Sequence, residues 1–278
     1  YLDVSTANLD KGLIEFLTDV PDYFPTILKD RILDSTLHLW LDASNADSVI
    51  IDDSKVSQWS DLSGKNAHVY QPMSNNQPSY TDNGIEFSSG NDTDDDDDYL
   101  INTVLDSGLL TEAASIFVVL SPSSQSGTIL DQGYIFTGNE RGWNFHRGND
   151  AYFVNEGPDK NSLVWNSHDY DSNKNLDVYA FSEMNTSLQN QTQLISLKKD
   201  GKNVIFRVNG SLVGMDEEIF AQNINYIEHD LAVGRRSLSN ASTGWLPYDG
   251  KIMEVIVFSR VLDDTERIDI TSYLARRW

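Results

Sequence analysis

From residue 36 to residue 258 the apolar positions alternate or run in short blocks, with turn residues between them. Thr36-Leu37-His38-Leu39-Trp40-Leu41 puts its leucines on one face and His38 and Trp40 on the other, the period-2 signature of a half-buried strand. Ser115-Ile116-Phe117-Val118-Val119-Leu120 is continuously apolar, as a strand buried on both faces would be. Asp177–Phe181, Gln193–Leu197, His229–Gly234 and Lys251–Phe258 read as further strands. Val204–Val208 and Ser211–Val213 flank Asn209-Gly210. That dipeptide between two β runs predicts a hairpin, because both turn residues must take positive φ. Lys199-Asp200-Gly201-Lys202 predicts a second turn just before it. No βαβ alternation is present, so an antiparallel sandwich or jelly roll is expected.

The two ends read as helix. Asp263-Asp264-Thr265-Glu266 has the form of a capping box, and Ile268, Ile270, Tyr273, Leu274 and Trp278 supply an apolar side to the helix that follows. Arg276 and Arg277 suit the negative end of its dipole. Residues 1–34 read as a helical arm or linker distinct from the main domain, 35–278. In the arm Leu9, Leu13, Phe16, Leu17 and Val20 follow helical spacing up to Pro21. This stripe must cover something: its own domain, a neighbouring subunit or another domain. Leu13, Phe16 and Leu17 are its expected docking residues.

Charge and composition narrow the partners. The chain has 278 residues, a net charge of −23 and no cysteine. The charge disfavours nucleic acid and anionic membranes. The lack of cysteine removes disulfide scaffolds, thiolate metal sites and a thiol nucleophile. No apolar run approaches the ~20 residues of a membrane span, so no membrane insertion is expected.

Several stretches resemble the concanavalin A-like (laminin-G-like) jelly-roll family of bacterial and phage type. They are Leu39–Ser44 with Val56–His68, Gly84–Phe87 continued by Asn91-Asp92 and Tyr99-Leu100, the Val208-Asn209-Gly210 hairpin, Gly250–Arg260, and the Tyr273-Leu274-Ala275-Arg276-Arg277-Trp278 ending. The stretch that begins at Gly84 is split by Thr93 and a run of five aspartates, Asp94 to Asp98. The resemblance covers about residues 36–278, though 134–190 carries little recognisable pattern. It implies an all-β, concanavalin A-like antiparallel sandwich with a C-terminal helix. This fold hosts lectins, adhesion modules, glycanases and structural virion domains, so it implies no single function. Trp59 reads as core, Asp61 and Ser63 as a turn, His68 as a structural histidine, and Trp278 as a plug from the last helix.

Catalytic signatures are missing. The Glu-x-Asp-x-x-Glu of laminarinase-type members is not found, nor the Arg, Gln-x-His and Tyr-rich strand of the alginate lyases. No catalytic residue is assigned. Recognition has better support. Arg141–His146, Val164–Tyr170 and Gly244–Asp249 each set aromatics beside Asn, Asp or His, the composition of a sugar site. Trp143, Trp165, Trp245 and Tyr248 are the expected ligand-binding rings. Asp92, Asp94 and Asp95 are candidate Ca²⁺ ligands, hard oxygens as that ion prefers. The expected role is non-catalytic glycan binding or adhesion at the cell surface or outside the cell. The alternatives are a virion or surface-assembly domain, homo-oligomeric through the arm, and a glycan-cleaving enzyme.

Overall fold

The computed structural model describes residues 35–81, 84–89, 97–102, 113–124, 126–134, 141–148, 162–171, 174–182, 189–201, 203–216, 230–235 and 247–278. The arm, Trp245 and Asp92, Asp94 and Asp95 lie outside them. The described strands are β1 (Leu37–Asp42), β2 (Val49–Asp52), β3 (Lys55–Trp59), β4 (Val69–Tyr70), β5 (Ser79–Thr81), β6 (Gly84–Phe87), β7 (Leu100–Asn102), β8 (Ala113–Pro122), β9 (Gly127–Tyr134), β10 (Arg141–Arg147), β11 (Leu163–Asp171), β12 (Lys174–Phe181), β13 (Gln193–Asp200), β14 (Asn203–Val208), β15 (Ser211–Asp216), β16 (Leu231–Val233) and β17 (Gly250–Phe258). One helix, α1 (Asp264–Arg277), follows.

All pairings are antiparallel, and they build two facing layers. The back layer runs β1-β17-β8-β13-β14-β15. The front layer runs β4-β7-β16-β9-β10-β11-β12. The short strands β2, β3, β5 and β6 carry the ladder between them around one side. The molecule is a jelly-roll sandwich closed by a C-terminal helix.

The core between the layers follows from period 2. One row crosses the front layer residue by residue: Leu100, Val233, Leu130, Phe145, Trp165 and Ala180, every one buried in the main hydrophobic cluster. Leu39, Leu41, Ile116, Val118, Leu120, Ile195, Leu197, Val255 and Val257 answer it from the back layer. Trp59 joins this core, as its sequence context predicts. The Asn209-Gly210 turn has φ of 50° and 82°, the double positive φ that the hairpin demands.

The back layer is covered on its other face as well. Leu37, Phe117, Val119, Leu194, Met253, Ile256 and Phe258 pack against Leu262, Ile270, Tyr273 and Leu274 of the C-terminal segment. This explains why β8 and β17 read as continuous apolar runs rather than alternating ones. The capping box forms as expected: Glu266 N–H donates to Asp263 Oδ1 at 2.8 Å, and Asp263 N–H to Glu266 Oε2 at 3.0 Å.

In the middle of β17, on this helix-covered face, stands Glu254, 0% exposed. Three side chains converge on it. Trp40 Nε1 and Tyr273 Oη donate to its Oε1 at 3.0 Å, and Trp278 Nε1 donates to Oε2 at 2.8 Å. Arg277 lies 3.9 Å from the same carboxylate and bridges on to Asp42 at 2.5 Å. Burial first, and the nearby Asp42 charge second, raise the Glu254 pKa, against the Trp278, Arg277 and Trp40 contacts. A carboxyl with a raised native pKa binds its proton more tightly folded than unfolded. Its contribution is present in full below the ordinary carboxyl pKa and is lost as pH rises through the native value. Thermal melts between pH 5 and pH 7.5 should therefore show a midpoint that rises on acidification. Glu254→Gln should show a smaller rise, and an equal rise in both proteins would refute the assignment.

Candidate functional site

The same period that sends one row inward sends its neighbours outward. On the outer face of the front layer, directly paired positions run Tyr70, Ile101, Ala232, Asp131, Asn144 and Asn166 across β4, β7, β16, β9, β10 and β11. Six strands at ~4.8 Å spacing make this row about 24 Å long. Its two ends differ. Tyr70 and Ile101 are half-buried, while Asp131 and Asn144 at 2% exposure and Asn166 at 1% are withdrawn from solvent. Beside the polar end Gly133 pairs with Gly142, so the floor there is bare backbone.

Polar groups this deeply buried ordinarily have partners. His146 Nδ1 donates to Asn144 Oδ1 at 2.7 Å, which fixes that amide and leaves its NH₂ group facing elsewhere. Asn166 Oδ1 has no hydrogen-bond partner, nor has Thr128 Oγ1, which lies across from His146 on β9. An unmade buried hydrogen bond costs about 1–3 kcal/mol, so a hydroxyl-bearing ligand that donates to Asn166 would recover that cost.

The expected rings are placed differently. Trp143 and Trp165, 1% and 0% exposed, stack on each other in the core with centroids 4.9 Å apart and planes 11° apart. They are packing residues, and the reading of them as sugar platforms is corrected. They alternate with Asn144 and Asn166, and on these strands the aromatics take the inner face. Tyr248 is likewise wholly buried. It stacks edge-on to Phe87 at 6.4 Å and donates to Lys251 O at 3.4 Å. Burial pushes its hydroxyl pKa upward. The buried Arg147 beside it donates to Ser124 O at 2.7 Å, and loss of solvent pushes its pKa down to about 10.

Other candidates have structural duties. Asp61 accepts from Trp40 N, Ser63 N, Ser63 Oγ and Ala67 N at 2.7–3.0 Å, and His68 Nδ1 accepts from Asp61 N at 3.0 Å. At the rim, Asp98 accepts from Ser88 N and sits 3.9 Å from Lys55, while both oxygens of Asp249 accept from Ser89. Burial pushes Asp98 up to about 6 against the pull of Lys55, with Asp97 and Asp249 adding to the rise. These carboxylates are taken up by the protein's own donors and do not form a cation cage. Among the described residues no group of three acids or histidines is arranged to hold a metal.

Neither a protein-family model nor a curated protein matches the chain. Solved structures do. The binding domain of botulinum neurotoxin serotype D matches over 86% of this chain and 51% of its own, at 16% identity and TM-score 0.52. The structure of botulinum neurotoxin type C, whose cell entry is dependent upon interaction with two ganglioside molecules, matches over 88% and 52%, at 16% identity and TM-score 0.53. The CBM40 of Ruminococcus gnavus IT-sialidase, solved bound to alpha2,3 sialyllactose, aligns over 58% and 83%, at 19% identity and TM-score 0.43. The likeness is one of fold. The chain spans about half the length of the toxin domains.

Because Trp165 is a core residue, Trp165→Ala should destabilise the fold by about 3–5 kcal/mol. Urea denaturation measures this. A loss under about 1 kcal/mol, the size of a surface substitution, would return the ring to the surface.

Proposed function

We propose that this chain is a non-catalytic glycan-recognition domain of concanavalin A-like type, working outside the cell, and that the outer row of the front layer is its sugar site. The observation that carries this reading is the buried, unpartnered Asn166 Oδ1 in line with Asn144 and Asp131. Sugars present hydroxyls that both donate and accept. The row offers an acceptor in Asn166, a donor in the Asn144 amide, and a ring and an aliphatic side chain at its more open end, Tyr70 and Ile101. The toxin neighbour of the same fold, named for its dependence on two ganglioside molecules, is consistent with a carbohydrate ligand.

The row's own chemistry argues for a neutral sugar. Asp131 is its one charge among the described positions, and the chain carries −23 overall. A carboxylated sugar would meet the repulsion of that net charge. Among the described positions of the row Asp131 is the one carboxylate, whereas hydrolysis takes a pair about 5–9.5 Å apart. Trp245 remains a proposed stacking ring, and calcium held by Asp92, Asp94 and Asp95 a separable part of the proposal.

A glycan array probed with the purified protein, with millimolar calcium and again with EDTA, tests the reading. Neutral glycans should bind more strongly than their sialylated forms. Asn166→Ala and Tyr70→Ala, checked for native circular dichroism, should each weaken binding by about tenfold or more, as loss of a buried hydrogen bond or ring contact does. Binding that survives both substitutions would move the site off this face. Loss in EDTA alone would establish the calcium part.

A further inference from the structure

The outer face of the front layer carries a second unpartnered polar atom beside the row that holds Asn166. Asn144 and His146 stand two positions apart on β10 and are bridged at 2.7 Å. Asp131 and Thr128 pair with them from β9, and Asn166 and Val164 from β11. These six side chains form a patch of three strands by two rows, each of them at most 5% exposed. The four corners of the patch differ. Val164 is apolar, and Asp131 has other partners. Thr128 Oγ1 and Asn166 Oδ1, at opposite corners, have no hydrogen-bond partner.

A bulge brings Thr128 to this face. Leu130 pairs with Phe145, but the next pair is Thr128 with His146, so Ile129 is the extra residue in β9. Ile129 joins Leu130 in the core, and the hydroxyl of Thr128 takes the outer position instead. Bulges re-aim side chains in this way beside functional sites.

The spacing of the two corners selects what can meet both. Thr128 and Asn166 are two strand spacings (~9.6 Å) and two strand residues (~6.8 Å) apart, about 12 Å on the diagonal. A single water must lie within hydrogen-bond reach of its partners and cannot serve both. The Asn144 amide stands between them.

We propose that Thr128 is a second hydroxyl-binding point of this face, and that its ligand is a neutral glycan of two or more sugars laid along the diagonal from Asn166 to Thr128. The inference rests on the sugar-site reading of this face given above. One sugar gives a hydroxyl proton to Asn166 Oδ1. Its neighbour meets Thr128 Oγ1, which both donates and accepts. The glycosidic oxygen between them only accepts, and the NH₂ group of Asn144 is the donor placed midway. A lone pyranose carries its hydroxyls on one ring, reaches one corner and leaves the other unmet.

The probes are neutral mono-, di- and trisaccharides of glucose, galactose and mannose, titrated by calorimetry into the parent protein and into Thr128→Val, which loses the hydroxyl and keeps the branched shape. Binding should strengthen about tenfold or more from one sugar to two, and Thr128→Val should bring the disaccharide back toward the monosaccharide. Monosaccharides bound as tightly as disaccharides, or a disaccharide gain that survives in Thr128→Val, would overturn the second point and leave the sugar site standing. Binding of none of the probes would overturn both readings. Urea denaturation gives an independent readout. A buried hydroxyl without a partner adds nothing to the fold, so the Thr128→Val midpoint should be unchanged or raised. A lowered midpoint would mean that the hydroxyl already has a partner, and would overturn the proposal.

Discussion

A strand paired on both edges and buried on both faces has nowhere to put a charge, and β17 carries one at its centre. Glu254 is tolerated because three donors and an arginine meet it, and those donors come from distant parts of the chain: Trp40 from β1, Tyr273 and Trp278 from the C-terminal segment. The same contacts tie β1, β17 and α1 into one unit. Arg277 extends the tie to Asp42 and, through its hydrogen bonds, to Ser44 and Tyr273. Deleting one partner of such a group leaves an uncompensated buried charge, which is costlier than losing an ordinary packing contact. The back layer is therefore held in place as much by this polar knot as by the apolar side chains around it.

The front layer divides its positions between two faces. Its inner row must be apolar, because it faces the core, but its outer row is free of that demand. Asp131, Asn144 and Asn166 occupy the outer positions next to Leu130, Phe145 and Trp165, so the core residues fix the amides' direction. Rows built on paired strands hold their spacing better than loops do.

The fold could be read from the sequence where period and turn chemistry were strong. The Asn209-Gly210 hairpin, the Asp263 capping box, the β8 and β17 runs and Trp59 all came out as their residues implied. The site was half legible. The aromatic-beside-amide pattern on β10 and β11 was read for its rings, whereas the rings sit in the core and the amides alternate with them on the other face. Composition cannot say which of two adjacent residues faces outward. Register can, and register depends on which strands pair. Glu254 stood as an isolated acid in a strand for the same reason: its hydrogen-bond partners Trp40, Tyr273 and Trp278 lie 19 or more positions away.

The pairing of β1 with β17 sets a condition on how this chain is made. Trp40 and Glu254 are 214 positions apart, and β6 and β8 also wait for β17 as their neighbour. Until the ribosome has released β17, at roughly 5–20 residues per second, the back layer is split and its most apolar strand, β8, has one edge unpaired. The sandwich cannot close progressively as it emerges. The sheet is completed only late in synthesis, after many seconds in which β8 has one of its two neighbours in place.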